Sequence, residues 1–317
     1  MSSFSKQIKD EIMSQKIEDD GCLSFLCGMI MSLGKVNQNQ EIELVTDVYN
    51  LFDYVNEIIK RLYGDSAELT FIETTTINKV SYYLIKLNKN LSTKIINDLN
   101  LYDSDHQISL ELEVDKHLVN TEEGLCSFVK ALTICCSTTA IKISSRPNEK
   151  TYSGYHLEWT NKNYDLLVTL SSLLNQYAIF PKLIERKNTY VLYLKEAQAI
   201  SDAFALVGAY DAVLTLQNEM ATREVRNAVN RQTNCVNANI SKTVSATIKQ
   251  LEAIEIISST IGIENLPQQL EEVCILRLAN TEESLSELVK LSGGTLSKSG
   301  LNHRFNKILK IAKELKE

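Results

Sequence analysis

The sequence predicts an α+β protein in which a duplicated α/β unit is followed by an all-helical region. The order of helix and strand candidates in the first hundred residues recurs in the second hundred. Strand patterns stop after Ala209, and helical periodicity with capping residues continues from there to the end. A chain of 317 residues with 44% apolar content can bury more than one core. We therefore expect a duplicated domain at residues 1–212 and a helical domain at residues 213–317.

The two predicted repeats lie at about residues 20–100 and 122–200. The first contains a helix, a strand, a helix and two strands, at Cys22–Leu33, Glu41–Thr46, Asn50–Leu62, Glu68–Glu73 and Lys79–Leu87. The second has the same order, at Leu125–Cys136, His156–Trp159, Tyr164–Tyr177, Lys182–Glu185 and Thr189–Leu194. Each sheet needs cover on one face, so the copies should pack as a pseudo-symmetric pair. The alternative is an accidental likeness between two ordinary α/β segments.

The helical region ends in a predicted helix-turn-helix at about residues 267–315. Five helices are expected in the whole region, at Asp211–Gln232, Asn239–Ile261, Pro267–Leu278, Glu282–Leu291 and Lys298–Leu315. Pro267 suits a first helical turn, and Thr281 is placed as an N-cap. The segment Ser292-Gly293-Gly294-Thr295 supplies the break before the last helix, which Ser297 is expected to cap.

Charge is distributed unevenly along the chain. The net charge is -7, and residues 1–214 hold 20 Lys/Arg against 28 Asp/Glu. Residues 297–316 instead hold six cations and one carboxylate, Glu314, and they form the dense basic segment of the sequence. An anionic partner is therefore expected at the C-terminus of the chain.

The last predicted helix has two different faces. One face is apolar, at Leu301, Phe305, Ile308, Ala312 and Leu315. The other carries groups that can read base edges or neutralise phosphates, as a helix in the major groove requires. The predicted DNA-binding residues are Lys298, Ser299, Asn302, His303, Arg304, Asn306, Lys307 and Lys310. The alternative is a lysine-rich terminal helix that is merely solvated.

A second polar cluster lies upstream, where arginines and asparagines alternate. Arg223, Arg226, Arg231 and Lys242 are secondary candidates for contacts to DNA phosphates. In the alternative interpretation, this is a junction between two helices in which the asparagines serve as caps and turn residues.

Other kinds of chemistry have little support in the sequence. There is no G-x-x-x-x-G-K-[ST] phosphate loop and no G-x-G-x-x-G dinucleotide turn. Seven cysteines without a Cys-x-x-Cys pair indicate reduced, mostly buried thiols. We predict no catalytic residue, metal site or cofactor. The absence of a signal-peptide pattern and of a long apolar run favours a cytoplasmic protein without a membrane partner. A DNA-binding protein in the cytoplasm is expected to associate with the nucleoid.

Several segments resemble the WhiA family of bacterial regulators. They are Arg223-Glu-Val-Arg-Asn-Ala-Val-Asn-Arg, Asn234-Cys235, Ala238-Asn239, Lys242-Thr-Val, Gln250-Leu-Glu-Ala-Ile-Glu, Ile261-Gly-Ile-Glu-Asn-Leu-Pro, Leu296-Ser-Lys-Ser-Gly-Leu-Asn-His-Arg and, in the N-terminal part, Tyr155-His-Leu-Glu. The resemblance implies a LAGLIDADG homing-endonuclease-like domain joined to a sigma-region-4-like helix-turn-helix. It also implies transcription regulation in cell division, and in sporulation where the bacterium sporulates.

The resemblance also bears on nuclease activity. The segment Leu26-Cys-Gly-Met-Ile-Met-Ser-Leu-Gly34 aligns with the nine-residue nuclease motif, in which the eighth residue is a metal-binding Asp. That position is Leu33 here and Cys136 in the second copy, and neither side chain supplies the hard oxygen ligand that Mg²⁺ needs. We therefore expect a non-catalytic domain.

The expected partners are promoter DNA and, by the resemblance, the transcription machinery or a sigma factor. The alternative function is a division or chromosome-organisation factor that acts mainly through protein contacts, with non-specific DNA association. A cryptic nuclease is a third hypothesis.

Overall fold

The computed structural model describes residues 3–75, 81–141, 154–293 and 296–316. The chain divides into two compact units, Met1–Thr222 and Arg223–Glu317. Lys79, Val80, Gly294 and Thr295, which belong to predicted elements, lie outside the described residues. Among the described residues, none of the helices is both long enough and apolar enough to cross a bilayer.

The first unit contains every element that was predicted for the two copies. Its helices are α1 (Phe4–Met13), α2 (Asp19–Leu33), α3 (Leu51–Tyr63), α4 (Lys89–Asp98), α5 (Glu122–Cys136), α6 (Tyr164–Asn175), α7 (Ala197–Leu206) and the first turns of α8 (Tyr210–Thr260). Its strands are β1 (Gly34–Val36), β2 (Ile42–Thr46), β3 (Leu69–Thr75), β4 (Ser81–Leu87), β5 (Ser137–Ala140), β6 (His156–Asn161), β7 (Lys182–Arg186) and β8 (Thr189–Leu194). The short strands β1 and β5 and the helices α4 and α7 were not predicted.

Each copy forms a four-stranded antiparallel sheet, and the strand orders correspond. The orders are β1-β2-β4-β3 and β5-β6-β8-β7. The registers correspond too, since Glu43 on β2 faces Lys86 on β4 and Glu158 on β6 faces Tyr193 on β8. The predicted duplication of the α+β unit is therefore confirmed.

The two copies meet through α2 and α5, which carry much of the buried core of the first unit. Phe25, Leu26, Phe128 and Leu132 are fully buried between the helices and the sheets. The backbones approach closely at Gly28, where an added Cβ would lie 3.0 Å from the Cβ of Ala131. Glycine at this position lets the two helices pack closer together than a larger residue would allow.

The second unit is helical, as predicted, but its first helix differs from the prediction. Two helices separated by a junction at residues 233–238 were expected, and the structure has the single helix α8. The sequence has no Gly or Pro between Ala209 and Ile261, so nothing forces the helix to end. The interpretation of its asparagines as caps and turn residues is therefore wrong.

The remaining helices are α9 (Gln268–Ala279), α10 (Leu285–Leu291) and α11 (Lys298–Glu314). Pro267 is the N-cap of α9 rather than a first-turn residue, and α10 begins later than predicted, with Ser284 instead of Thr281 as its N-cap. The cap of α11 is confirmed, because the Ser297 hydroxyl accepts a hydrogen bond from the amide of Gly300 at 3.1 Å. The ends of α8, α9, α10 and α11 enclose one apolar core around Ile257, Val273, Leu288, Leu301, Phe305 and Ile308.

Candidate nucleic-acid interface

Helix α11 is divided into a buried and an exposed face, as the sequence predicts. Leu301, Phe305, Ile308 and Ala312 are buried against the other helices of the unit. The exposed residues include seven of the predicted DNA-binding residues, Lys298, Ser299, Asn302, His303, Asn306, Lys307 and Lys310. The fold therefore presents amide, imidazole, hydroxyl and ammonium groups together on one surface.

Arg304 differs from the other predicted residues of α11. It is half-buried, and its Nη1 lies 3.4 Å from the carbonyl oxygen of Gln269 at the start of α9. This places its side chain on the α9 side of the helix, away from the exposed face. Replacing it would disturb a contact between helices as well as any contact with DNA.

Arg277 contacts the buried face of α11, and no role was predicted for it from the sequence. Its side chain is almost fully buried, and its Nη1 donates to the carbonyl oxygens of Glu283 at 2.7 Å and Asn280 at 3.3 Å. Its guanidinium also lies over the ring of Phe305 on the buried face of α11. Burial lowers the pKa of Arg277 below its ordinary value. The sequence feature that could have revealed this role is a cation among the apolar residues on the core face of α9.

The start of α10 carries the opposite charge to α11. Glu282 and Glu283 are exposed just before the helix, and Glu287 lies in its first turn beside Lys290 at 2.9 Å. Carboxylates stabilise a helix N-terminus but repel phosphates. The charges of the second unit therefore favour an approach of DNA to α11 and disfavour one at the start of α10.

The second predicted cluster lies on one continuous helix, within the segment of α8 that belongs to the second unit. Arg231 and Lys242 are exposed, whereas Arg223 and Arg226 are half-buried. The four cations thus lie along one uninterrupted stretch of helix and are not brought together by a turn. A helix of this kind can follow a phosphate backbone along its length.

The two nuclease metal positions fall at the ends of the central helices. Leu33 is the last residue of α2 and Cys136 the last of α5. The Cys136 thiol donates to the carbonyl oxygen of Leu132 at 3.2 Å, and burial raises its pKa well above the ordinary range. A hydrocarbon side chain and a neutral thiol are poor ligands for Mg²⁺. Among the described residues, no group of three His, Cys, Asp or Glu side chains is arranged to hold a metal ion.

Two family models match the chain. The model of the WhiA LAGLIDADG-like domain matches residues 22–92 and 145–226, and that of the WhiA C-terminal HTH domain matches residues 229–312. The first match covers most of the first copy and the part of the second copy that follows β5, and the second covers most of the helical second unit.

Full-length relatives and one solved structure agree with these matches. A protein of Clostridium perfringens named "Probable cell division protein WhiA" is 32% identical over 323 residues, covering 99% of this chain and 98% of the relative. A protein of the same name from Staphylococcus epidermidis is 33% identical over 318 residues, with the same coverage. The full-length DUF199/WhiA from Thermatoga maritima matches with a TM-score of 0.59 at 24% identity, covering 99% of both chains, which supports the fold. The chain belongs to the WhiA family.

Proposed function

We propose that this protein is a DNA-binding regulator of transcription that acts in cell division, and in sporulation where its host sporulates. The observation that carries the proposal is the two-sided character of α11, which is buried along one face and presents amides and cations along the other. The names of its relatives place proteins of this family in cell division. Binding to promoter DNA would associate the protein with the nucleoid.

The exposed groups of α11 suit different parts of a DNA duplex. Asn302 and Asn306 lie one turn apart, and their amides have the donor and acceptor pair that matches the edge of adenine. Lys307 and Lys310 would contact the flanking phosphates, and Lys298 and Ser299 would contact a phosphate near the start of the helix. His303 is exposed three residues before Asn306, so the two side chains lie beside each other on the helix, and His303 is assigned to the groove as well.

The direct test compares two double variants by fluorescence anisotropy on a promoter fragment at several salt concentrations. Lys307→Ala/Lys310→Ala removes two cations from α11, and Lys94→Ala/Lys162→Ala removes two exposed cations from the first unit. Each lost phosphate contact should lower the slope of log affinity against log salt by about 1. We expect the slope to fall by about 2 in the first variant and to stay unchanged in the control. Equal slopes in both variants would overturn the role of α11.

Regulation of transcription is distinguished from the alternative function by where the protein binds in the cell. We expect genome-wide immunoprecipitation to give discrete promoter peaks that disappear in Lys307→Ala/Lys310→Ala. Diffuse occupancy, unchanged in that variant, would favour a division or chromosome-organisation factor that acts through protein contacts. Arg304 is not replaced in this experiment, because its side chain contacts α9. Weaker binding of an Arg304 variant could therefore result from a folding defect as well as from a lost DNA contact.

For the first unit, we propose a non-catalytic role as a contact surface for the transcription machinery or a sigma factor. Val45, Leu84 and Ile72 form a row across three strands of the first sheet, and the side chains of Val45 and Ile72 are more than two-fifths exposed. Apolar groups on the solvent side of a sheet suit a protein partner better than a phosphate backbone. Cleavage of plasmid DNA in the presence of Mg²⁺ that EDTA abolishes would instead support the nuclease hypothesis.

A further inference from the structure

A long segment of α8 in the second unit is surrounded by solvent. Residues 227–245 are exposed at every position, on all sides of the helix. Residues 225–251 contain four cations, Arg226, Arg231, Lys242 and Lys249, and no carboxylate. The surface is therefore suited to a polyanion.

One face of this segment carries a row of amides and hydroxyls. Its members are spaced by three or four residues, so they lie above one another on the helix. They form what we term the asparagine stripe, Asn227, Asn230, Asn234, Asn237 and Ser241. Arg226 borders the stripe on one side, and Arg231 and Lys242 border it on the other. Asn239 lies on the opposite side of the helix.

The composition of the segment does not favour an isolated helix. Asparagine, threonine and valine are poor helix formers, and neither Arg231 nor Lys242 has a carboxylate three or four residues away with which to form a stabilising pair. A helix that is exposed all round and has few such pairs needs another source of stability. Binding to a partner along the asparagine stripe would supply it.

The nature of the stripe identifies that partner as duplex DNA rather than a protein. The opposite face does carry exposed Val225, Val229, Val236 and Ile240, but Gln232 and Thr233 interrupt it. The amide row continues without interruption and is flanked by cations on both sides. The major groove accepts a helix, and an asparagine amide there can bind the N6 and N7 atoms of adenine in a bidentate manner.

We infer that α8 is a second DNA-reading helix, in which Asn230 and Asn234 at the centre of the stripe recognise adenines in the major groove while the flanking cations hold phosphates. This inference rests on the proposed function and deepens it. It assigns base recognition to a segment whose cations alone were candidates for DNA contacts. The binding site should accordingly contain two groups of specified bases, one read by α11 and one by α8.

The test selects duplexes from a random library with the full-length protein and determines the preferred base at each position. The wild type is compared with Asn230→Ala/Asn234→Ala and with Asn239→Ala, which changes the same residue type on the opposite side of the helix. None of these changes alters the charge. Since alanine is a better helix former than asparagine, reduced binding in these variants cannot result from a weaker helix.

We expect Asn230→Ala/Asn234→Ala to lose the preference for adenine at one group of positions and to keep the group read by α11. Its affinity for the full site should fall about tenfold or more for each bidentate contact between an asparagine amide and an adenine that is lost. The affinity of Asn239→Ala should match that of the wild type. The same base preferences in all three proteins would overturn the inference and leave the proposed function intact. Failure of the proposed function appears separately, as a wild type that selects no sequence or as wild-type affinity in Lys307→Ala/Lys310→Ala.

Discussion

The guanidinium carbon of Arg277 lies 5.4 Å from the centre of the Phe305 ring, in the core of the second unit. A cation over an aromatic face is attracted by the ring quadrupole, and the attraction grows when water is excluded. The same side chain binds two carbonyl oxygens in the turn before α10. One buried arginine therefore joins α9, the turn and α11.

We expect Arg277→Met to destabilise the second unit by about 1–3 kcal/mol, because it removes the charge-assisted hydrogen bonds and the contact with Phe305. Hydrogen exchange should show loss of protection in α9 and α11. Lys290→Met is the control, since Lys290 is exposed and its pair with Glu287 contributes little. Equal loss of protection in the two variants would show that Arg277 has no special role.

Gly28→Val should destabilise the first unit by about 1–3 kcal/mol, because the added atoms would press on Ala131 and on the carbonyl oxygen of Phe128 at 3.1 Å. Urea unfolding can be followed by the fluorescence of Trp159, the one tryptophan of the chain, which is buried in this unit. Gly154→Val is the matched control, as an added Cβ there has no neighbour within 4 Å. A midpoint that moves no further in Gly28→Val than in Gly154→Val would contradict the close approach of α2 and α5.

The interactions of Glu43 on the outer face of the first sheet should make the free energy of unfolding depend slightly on pH. Asn37 donates to the Glu43 carboxylate at 2.9 Å and Lys86 lies 3.0 Å away, and together they hold the pKa of Glu43 below its ordinary value of 4.5. A lowered pKa in the folded state stabilises the protein above about pH 4.5, and this contribution disappears as the pH falls through the folded-state value.

Glu43→Gln should therefore cost up to about 1 kcal/mol at pH 7, and the difference from wild type should vanish in acid. Urea midpoints measured across that range with Trp159 fluorescence would record it. Glu185→Gln, an exposed change on β7, serves as the control. A difference that stays constant with pH would remove the ionic explanation.

Cys235 should be the thiol that reacts first with iodoacetamide at near-neutral pH. It is the exposed member of the seven cysteines, all of which lie in the described residues, whereas burial raises the pKa of Cys135 to about 12 and that of Cys274 to about 11. We expect one fast adduct by intact mass, absent in Cys235→Ser. Rapid modification of Cys274 would mean that the core of the second unit opens readily.

Much of the fold follows from periodicity in the sequence. Strands with alternating burial, such as Ile42–Thr46, and helices with apolar faces, such as Lys298–Glu314, could be predicted because their local pattern decides which side is buried. The strands Gly34–Val36 and Ser137–Ala140 could not be, because three or four residues are too few to show a period. They exist because a longer neighbouring strand pairs with them.

The candidate site was predictable where exposure follows from helix geometry. The exposed face of α11 is of this kind, because burial of Leu301 and Phe305 turns Asn302 and Asn306 outward. The position of Arg304 against Gln269 depends on a contact between residues 35 apart, which local spacing does not reveal. The continuity of α8 was missed because asparagine is common both in turns and at helix ends, so Asn234 and Asn239 suggested a break.

The close approach at Gly28 concerns one of two properties that a metal-dependent nuclease must combine in the same helix. One is a close contact between the helices, and the other is chemistry at the helix end. Small residues about two-thirds of the way along α2 and α5 let the helices touch, while in a nuclease the residues at the helix ends would perform the chemistry. This chain keeps the first property, and Leu33 and Cys136 stand at the ends of its two helices. In both copies the small residue, Gly28 or Ala131, stands six positions before the first residue of the next strand, Gly34 or Ser137. A search for related domains that requires the metal-binding Asp of the nuclease motif would miss such chains. A search based on the spacing between the small contact residue and the end of the helix would find them.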